Sequence, residues 1–136
     1  MADKLTKVDY FYATMPNKPG QGAKVMNGLA EAGVNLLAFS AFPSGRKSQL
    51  DLVPEDSAKL KRAAKAMGLK LSVAKKGFLL VGDDRVGAVT GVLNKLAAAK
   101  INITAIDAVC SGGRYGALFW VKPPKVAKAA KVLGAK

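Results

Sequence analysis

Two short stretches of this chain carry residues suited to holding a small zwitterion or a carboxylate. Asn17-Lys18-Pro19-Gly20 and Asp84-Arg85-Val86-Gly87 each end in glycine, and each leads into an apolar segment of helical period. Glycine lets the backbone turn sharply and approach a ligand closely. The N–H groups that open a helix lack intrahelical acceptors, and the helix dipole adds positive charge there, so together they can receive a carboxylate. In the first stretch those groups fall between Lys18 and Ala23. The Asn17 amide offers a donor and an acceptor, one for each end of an amino acid. Asp84 differs: its carboxylate would repel a ligand carboxylate and attract an ammonium. The same residues also suit plain turns, with Asn17 shaping the loop and Asn35 and Asn102 capping loop backbone.

Most other chemistry is unequipped. The chain has no histidine, a single cysteine and nine carboxylates scattered along 136 residues. The usual general base and the commonest metal ligand are therefore missing, and no metal-ligand cluster, cofactor motif or nucleophile-base pair is legible. Arg85 and Arg114 could grip a phosphate, as in a small hydrolase, but no acid, base or nucleophile accompanies them. No catalytic residue is assigned, and the chain is not read as an enzyme. Cys110 alone excludes an internal disulfide and reads as a small packed residue at a strand end. The N-terminus lacks the apolar core of a signal peptide, and no apolar run approaches a membrane span. A cytoplasmic protein with no membrane partner is expected.

The net charge of +13 points to anionic partners. Lys59, Lys61, Arg62 and Lys65 crowd one segment, and Lys122, Lys125, Lys128 and Lys131 crowd another. Such stripes also form the solvated side of ordinary helices. A basic nucleic-acid-binding module is the alternative function: Tyr10 and Tyr12 share one strand face, but Phe39, Phe42, Tyr115, Phe119 and Trp120 are scattered over both faces and no run resembles an RNA-recognition signature.

The elements that must position the two loops repeat. Phe11, Gly20, Asn35 and Ala38 match Phe78, Gly87, Asn102 and Ala105 at a constant offset of 67 residues. In the first copy, 8–14 reads as a strand, 23–32 as a helix stopped by Gly33, and 34–42 and 48–53 as a hairpin. A helix then runs from the Glu55-Asp56-Ser57 signal to Gly68, and 69–74 forms a last strand. The second copy repeats the order with strands at 78–81, 101–109 and 115–121, and a helix opened by Pro123-Pro124. The chain ends where the last strand would follow. The reading is α+β: two ferredoxin-like β-α-β-β-α-β units in tandem, 1–74 and 75–136, the second lacking its final strand. Antiparallel sheets with the helices on one face are expected, and the missing strand leaves an edge that another element must cover.

In this order, Asn-x-x-Gly in the first strand-helix loop and Gly33-Val34-Asn35-Leu36 at the second strand resemble the ACT domain. Two tandem copies of the resemblance cover nearly the whole chain. It implies a regulatory module that binds amino acids between units, the loop of one facing the second-strand start of a neighbour. Carried over by position, Asn17, Lys18, Pro19, Gly20 and Gln21 supply one wall, and Asn35 and Leu36 the other. Asp84, Arg85 and Gly87, with Asn102 and Ile103, hold the matching places in the second copy, where Val86 replaces the family's usual proline. The edge left by the missing strand makes a homodimer expected, and any enzyme under its control is expected to be separately encoded.

Overall fold

The computed structural model describes residues 3–135. Its elements in chain order are β1 (Lys4–Pro16), α1 (Gln21–Glu31), β2 (Leu36–Ser44), β3 (Lys47–Pro54) and α2 (Ser57–Met67). There follow β4 (Lys75–Asp83), α3 (Thr90–Ala98), β5 (Ala105–Ser111), β6 (Arg114–Trp120) and α4 (Val126–Leu133), the last entered through a 3-10 turn at Pro123–Lys125. The chain forms two compact units, Asp9–Lys75 and Met1–Val8 with Lys76–Lys136. The boundary falls inside β1, so residues 3–8 group with the second repeat rather than the first.

In the Asp9–Lys75 unit β3 lies between β2 and β1 and runs antiparallel to both, with Leu52 opposite Phe11 on one side and Phe39 on the other. Alternate residues Phe11, Met15, Leu50 and Leu52 pack with Val25 and Leu29 of α1 and Leu60 and Ala63 of α2 in one core. Period 2 on the strands meets period 3.6 on the helices, which places both helices on one sheet face. Asp56 caps α2 by accepting the Lys59 N–H at 3.2 Å, and Gly68 ends it in the left-handed conformation. The expected last strand, 69–74, does not form a regular strand. At Tyr12 the Ser72 N–H reaches the carbonyl, while the Tyr12 N–H is taken by the Ser72 hydroxyl instead of a main-chain carbonyl. That side-chain substitution interrupts a backbone ladder.

In the other unit β6 lies between β4 and β5, again antiparallel to both. Phe78, Leu80, Tyr115 and Phe119 pack with Leu96 of α3 and Ala129 of α4, the rings of Phe78 and Phe119 stacking at 5.3 Å. The regular part of β5 begins at Ala105, later than the expected 101, although Ile101 is buried in this core. No strand follows α4 among the described residues. The neighbour of β4 on its other side is β1, and residues 4–8 of β1 belong to this unit. The fourth strand that the second repeat lacks is thus supplied from the start of the chain, and Leu5 packs on the same core.

Candidate functional site

The first loop opens α1 directly. Gly20 stands at the helix N-cap with φ of 89°, a left-handed conformation that favours glycine, and no side chain caps the helix. The N–H of Gln21 reaches the Lys18 carbonyl at 3.3 Å, and that of Lys24 the Gly20 carbonyl at 2.9 Å. The Gly22 and Ala23 N–H groups lie between these two bonds, in the first turn, where a helix has no acceptors of its own. A Cβ built on Gly20 would meet nothing within 4 Å, so the approach to this turn is open. Asn17, Lys18, Pro19 and Gly20 are exposed and Gln21 is half-buried. Asn17 Oδ1 accepts from the Ser48 hydroxyl at 3.0 Å, which anchors the loop to β3.

Asn35 and Leu36 lie at the far end of the hairpin. Pro16 is level with Lys47, whereas Leu36 is level with Pro54. Seven residues of β3 separate the two levels, a span of about 23 Å at the usual strand rise. The two expected walls therefore do not meet within the unit. Asn35 Nδ2 donates to Glu55 Oε2 at 3.0 Å, and Leu36 packs against the core. The Asn35–Glu55 bond joins the start of β2 to the approach to α2, a partnership the sequence reading did not foresee.

The second loop is built differently. α3 starts at Thr90, three residues after Gly87, because Ala88 and Val89 lie in turns: the Thr90 hydroxyl and N–H both return to the Gly87 carbonyl. Arg85 grips the Asp3 carboxylate with two bonds, of 3.1 and 2.8 Å, and its guanidinium lies 5.9 Å from the centre of the Tyr115 ring. The pairing holds the Asp3 carboxyl below the usual carboxylate range and raises Arg85. Burial raises the Tyr115 hydroxyl, and the neighbouring Asp3 carboxylate adds to the effect. Arg114 pairs with Asp83 at 2.6 Å and lowers its pKa. Gly82 leaves room for this arrangement, since a Cβ there would collide with the Asp3 carboxylate and press on the Tyr115 ring.

Asp84 accepts from the Cys110 thiol at 3.3 Å, which raises the thiol's pKa. Cys110 is exposed on β5, not packed as expected, because β5 is an edge strand whose outer residues meet solvent. Asn102 is exposed, and Ile103 is a half-buried part of the core. Two clefts flank the loop. One of about 400 Å³ is lined by Asp3, Arg85, Thr90, Lys95 and Leu133 among others, and one of about 250 Å³ by Asp84, Val89, Val109, Cys110 and Tyr115. Sequence reasoning could not find Asp3, because nothing local links it to Arg85, 82 residues away.

Among the described residues no cluster of three metal-ligating side chains occurs, and no helix is long and apolar enough to cross a membrane. Tyr10 is 7% exposed, and Tyr12 is half-buried with Lys75 over its ring.

No protein-family model and no curated protein matches the chain. Solved structures do. The protein BT0572 from Bacteroides thetaiotaomicron superposes with a TM-score of 0.82 at 18% identity, over 96% of this chain and 88% of that one. The ligand-free regulatory subunit of aspartate kinase from Thermus thermophilus gives 0.64 at 18% identity, over 98% and 93%. The corresponding subunit from Thermus flavus gives 0.59 at 19%, over 98% and 94%. At such identities the likeness speaks to fold, and it extends over both units: this chain has the tandem ACT-type fold found in the regulatory subunits of aspartate kinase.

Proposed function

We propose that this protein is a regulatory module that binds a small molecule, an amino acid, at the Asn17–Gly20 loop and acts through assembly of its ACT-type units. The observation that carries the reading is the start of α1. It is uncapped, entered from a left-handed glycine and open to solvent beside that glycine. The N–H groups of Gly22 and Ala23 would take the ligand carboxylate and the Asn17 amide its polar groups. The fold shared with aspartate kinase regulatory subunits supports a regulatory role.

Asn35 and Leu36 stand about 23 Å from their own loop along β3, so a second copy of the chain, in a homodimer, would bring its β2 start to complete the site. A ligand held between copies favours the assembled state by its differential affinity, and a separately encoded enzyme would read that state. The second loop plays a lesser part in this reading, because Asp3 already fills the Arg85 guanidinium and Cys110 sits on Asp84. Thermal denaturation with each of the common amino acids tests the proposal. A ligand at 100 times its Kd adds about 2.7 kcal/mol, a rise of roughly 10 °C for a chain of this size. If no amino acid raises Tm at millimolar concentration, the reading fails.

A further inference from the structure

The helical layer of the second unit has a charge pattern that amino-acid binding does not use. Neither the 88–100 segment, which contains α3, nor the 121–135 segment, which contains α4, includes a single aspartate or glutamate. The same segments carry Lys95, Lys100, Lys122, Lys125, Lys128 and Lys131, all exposed. The two helices share one core through Leu96 and Ala129, so they lie in one layer on the same sheet face. Lys128 ties them further by donating from Nζ to the Ala99 carbonyl at 3.2 Å. By contrast, the helical layer of the Asp9–Lys75 unit includes Glu31 in α1 and Asp56 at the N-cap of α2, although α2 itself carries only cations. A solubility balance would scatter both signs over each layer; here one layer is purely cationic.

We infer that this layer is a docking surface for the phosphate backbone of duplex nucleic acid, bound without regard to sequence. Charge complementarity selects the occupant. From Lys122 to Lys131 the chain advances roughly 14 Å at helical rise, the length of about four successive phosphates of one duplex strand. Lys95 and Lys100 add two cations on the neighbouring helix. Lysines act as mobile point charges, suited to tracking a backbone rather than reading base edges. The surface contains no aromatic residue to stack on unpaired bases, which favours a duplex over a single strand.

The test is fluorescence anisotropy with two labelled 20-base-pair duplexes of unrelated sequence, from 25 to 200 mM NaCl. Both should bind with micromolar Kd at 50 mM, with log K falling against log salt at a slope between about −3 and −5. The triple variant K125Q/K128Q/K131Q should flatten that slope by two to three units, at about 0.9 per lost phosphate contact. K47Q/K65Q/K70Q removes the same charge from exposed positions in the other unit and should change the slope by less than one. The triple arginine variant of the first set should restore wild-type binding. Should the first glutamine triple fail to fold, K125Q and K131Q singly, neither of which loses a backbone bond, should each flatten the slope by about one unit. Absence of binding at 50 mM, equal effects of the two triples, or tighter binding to phosphatidylserine vesicles than to duplex would each overturn the inference.

Discussion

Deletion of the first eight residues should weaken one unit and spare the other. Residues 4–8 of β1 lie beside β4 in the unit completed by Lys76–Lys136, and Leu5 packs on its core. Removing them exposes on the order of 150 Å² of apolar surface from Leu5 and the residues it covers, a loss of about 4 kcal/mol. About four interstrand hydrogen bonds go with them, at ~1 kcal/mol each. Against this, the chain no longer orders five residues, which returns about 6 kcal/mol of conformational entropy. The net cost is about 2 kcal/mol, or roughly a 30-fold rise in the unfolded fraction of that unit. The Arg85–Asp3 pair is too exposed to add a figure. Amide hydrogen exchange reads the outcome residue by residue. Amides of β4 and β6 should exchange roughly 30-fold faster, and those of β2 and β3 by no more than a few-fold. Unchanged protection of β4, or equal loss in both hairpins, would refute the assignment of the N-terminal segment as the missing strand.

Three further outcomes follow from single residues. Gly20→Ala meets no neighbour but must hold φ near 89°, so it should cost about 1–2 kcal/mol and lower Tm by several degrees; an unchanged melting curve would show that the loop relaxes freely. Cys110 is exposed but its thiol pKa is raised by the Asp84 carboxylate, so alkylation at pH 8 should be slower than for a free thiol, and Asp84→Asn should accelerate it several-fold; equal rates would exclude the contact. The Asp3 and Asp83 carboxyls have folded pKa values below their unfolded ones, so their contribution is present above about pH 4 and lost as pH falls through the folded values. Exchange protection of residues 4–8 should therefore stay level from pH 7 to 5 and decline below 4, and Asp3→Asn should reduce that decline.

The sequence revealed the fold where local signals agree. Gly68 and Gly134 stop α2 and α4 in the left-handed conformation, Asp56 caps α2, and the prolines at 123 and 124 open the last helix. The self-similarity gave the duplication and the order of elements. What escaped was non-local. Lys4-Leu5-Thr6-Lys7 has too little apolar alternation to read as a strand; β4 beside it makes it one. Residues 69–74 alternate like a strand, yet the Ser72 hydroxyl takes the place of a ladder carbonyl at Tyr12. At the candidate site, the glycine-opened helix start was legible because it depends on neighbours in sequence. The engagement of Arg85 by Asp3 and of Asp84 by Cys110 was not, because each partner arrives from a distant part of the chain. These contacts are what separate the two loops: the first is open, and the second is occupied by the chain's own side chains.

The central claim is that an amino acid is received at the start of α1. Backbone amide shifts, followed as each amino acid is titrated into ¹⁵N-labelled protein, test it most directly. The account predicts saturable shifts at Gly20, Gln21, Gly22 and Ala23, with a second set at Asn35 and Leu36 on dimerisation. Shifts absent from residues 17–23, or confined to the Asp84–Gly87 loop, would contradict it.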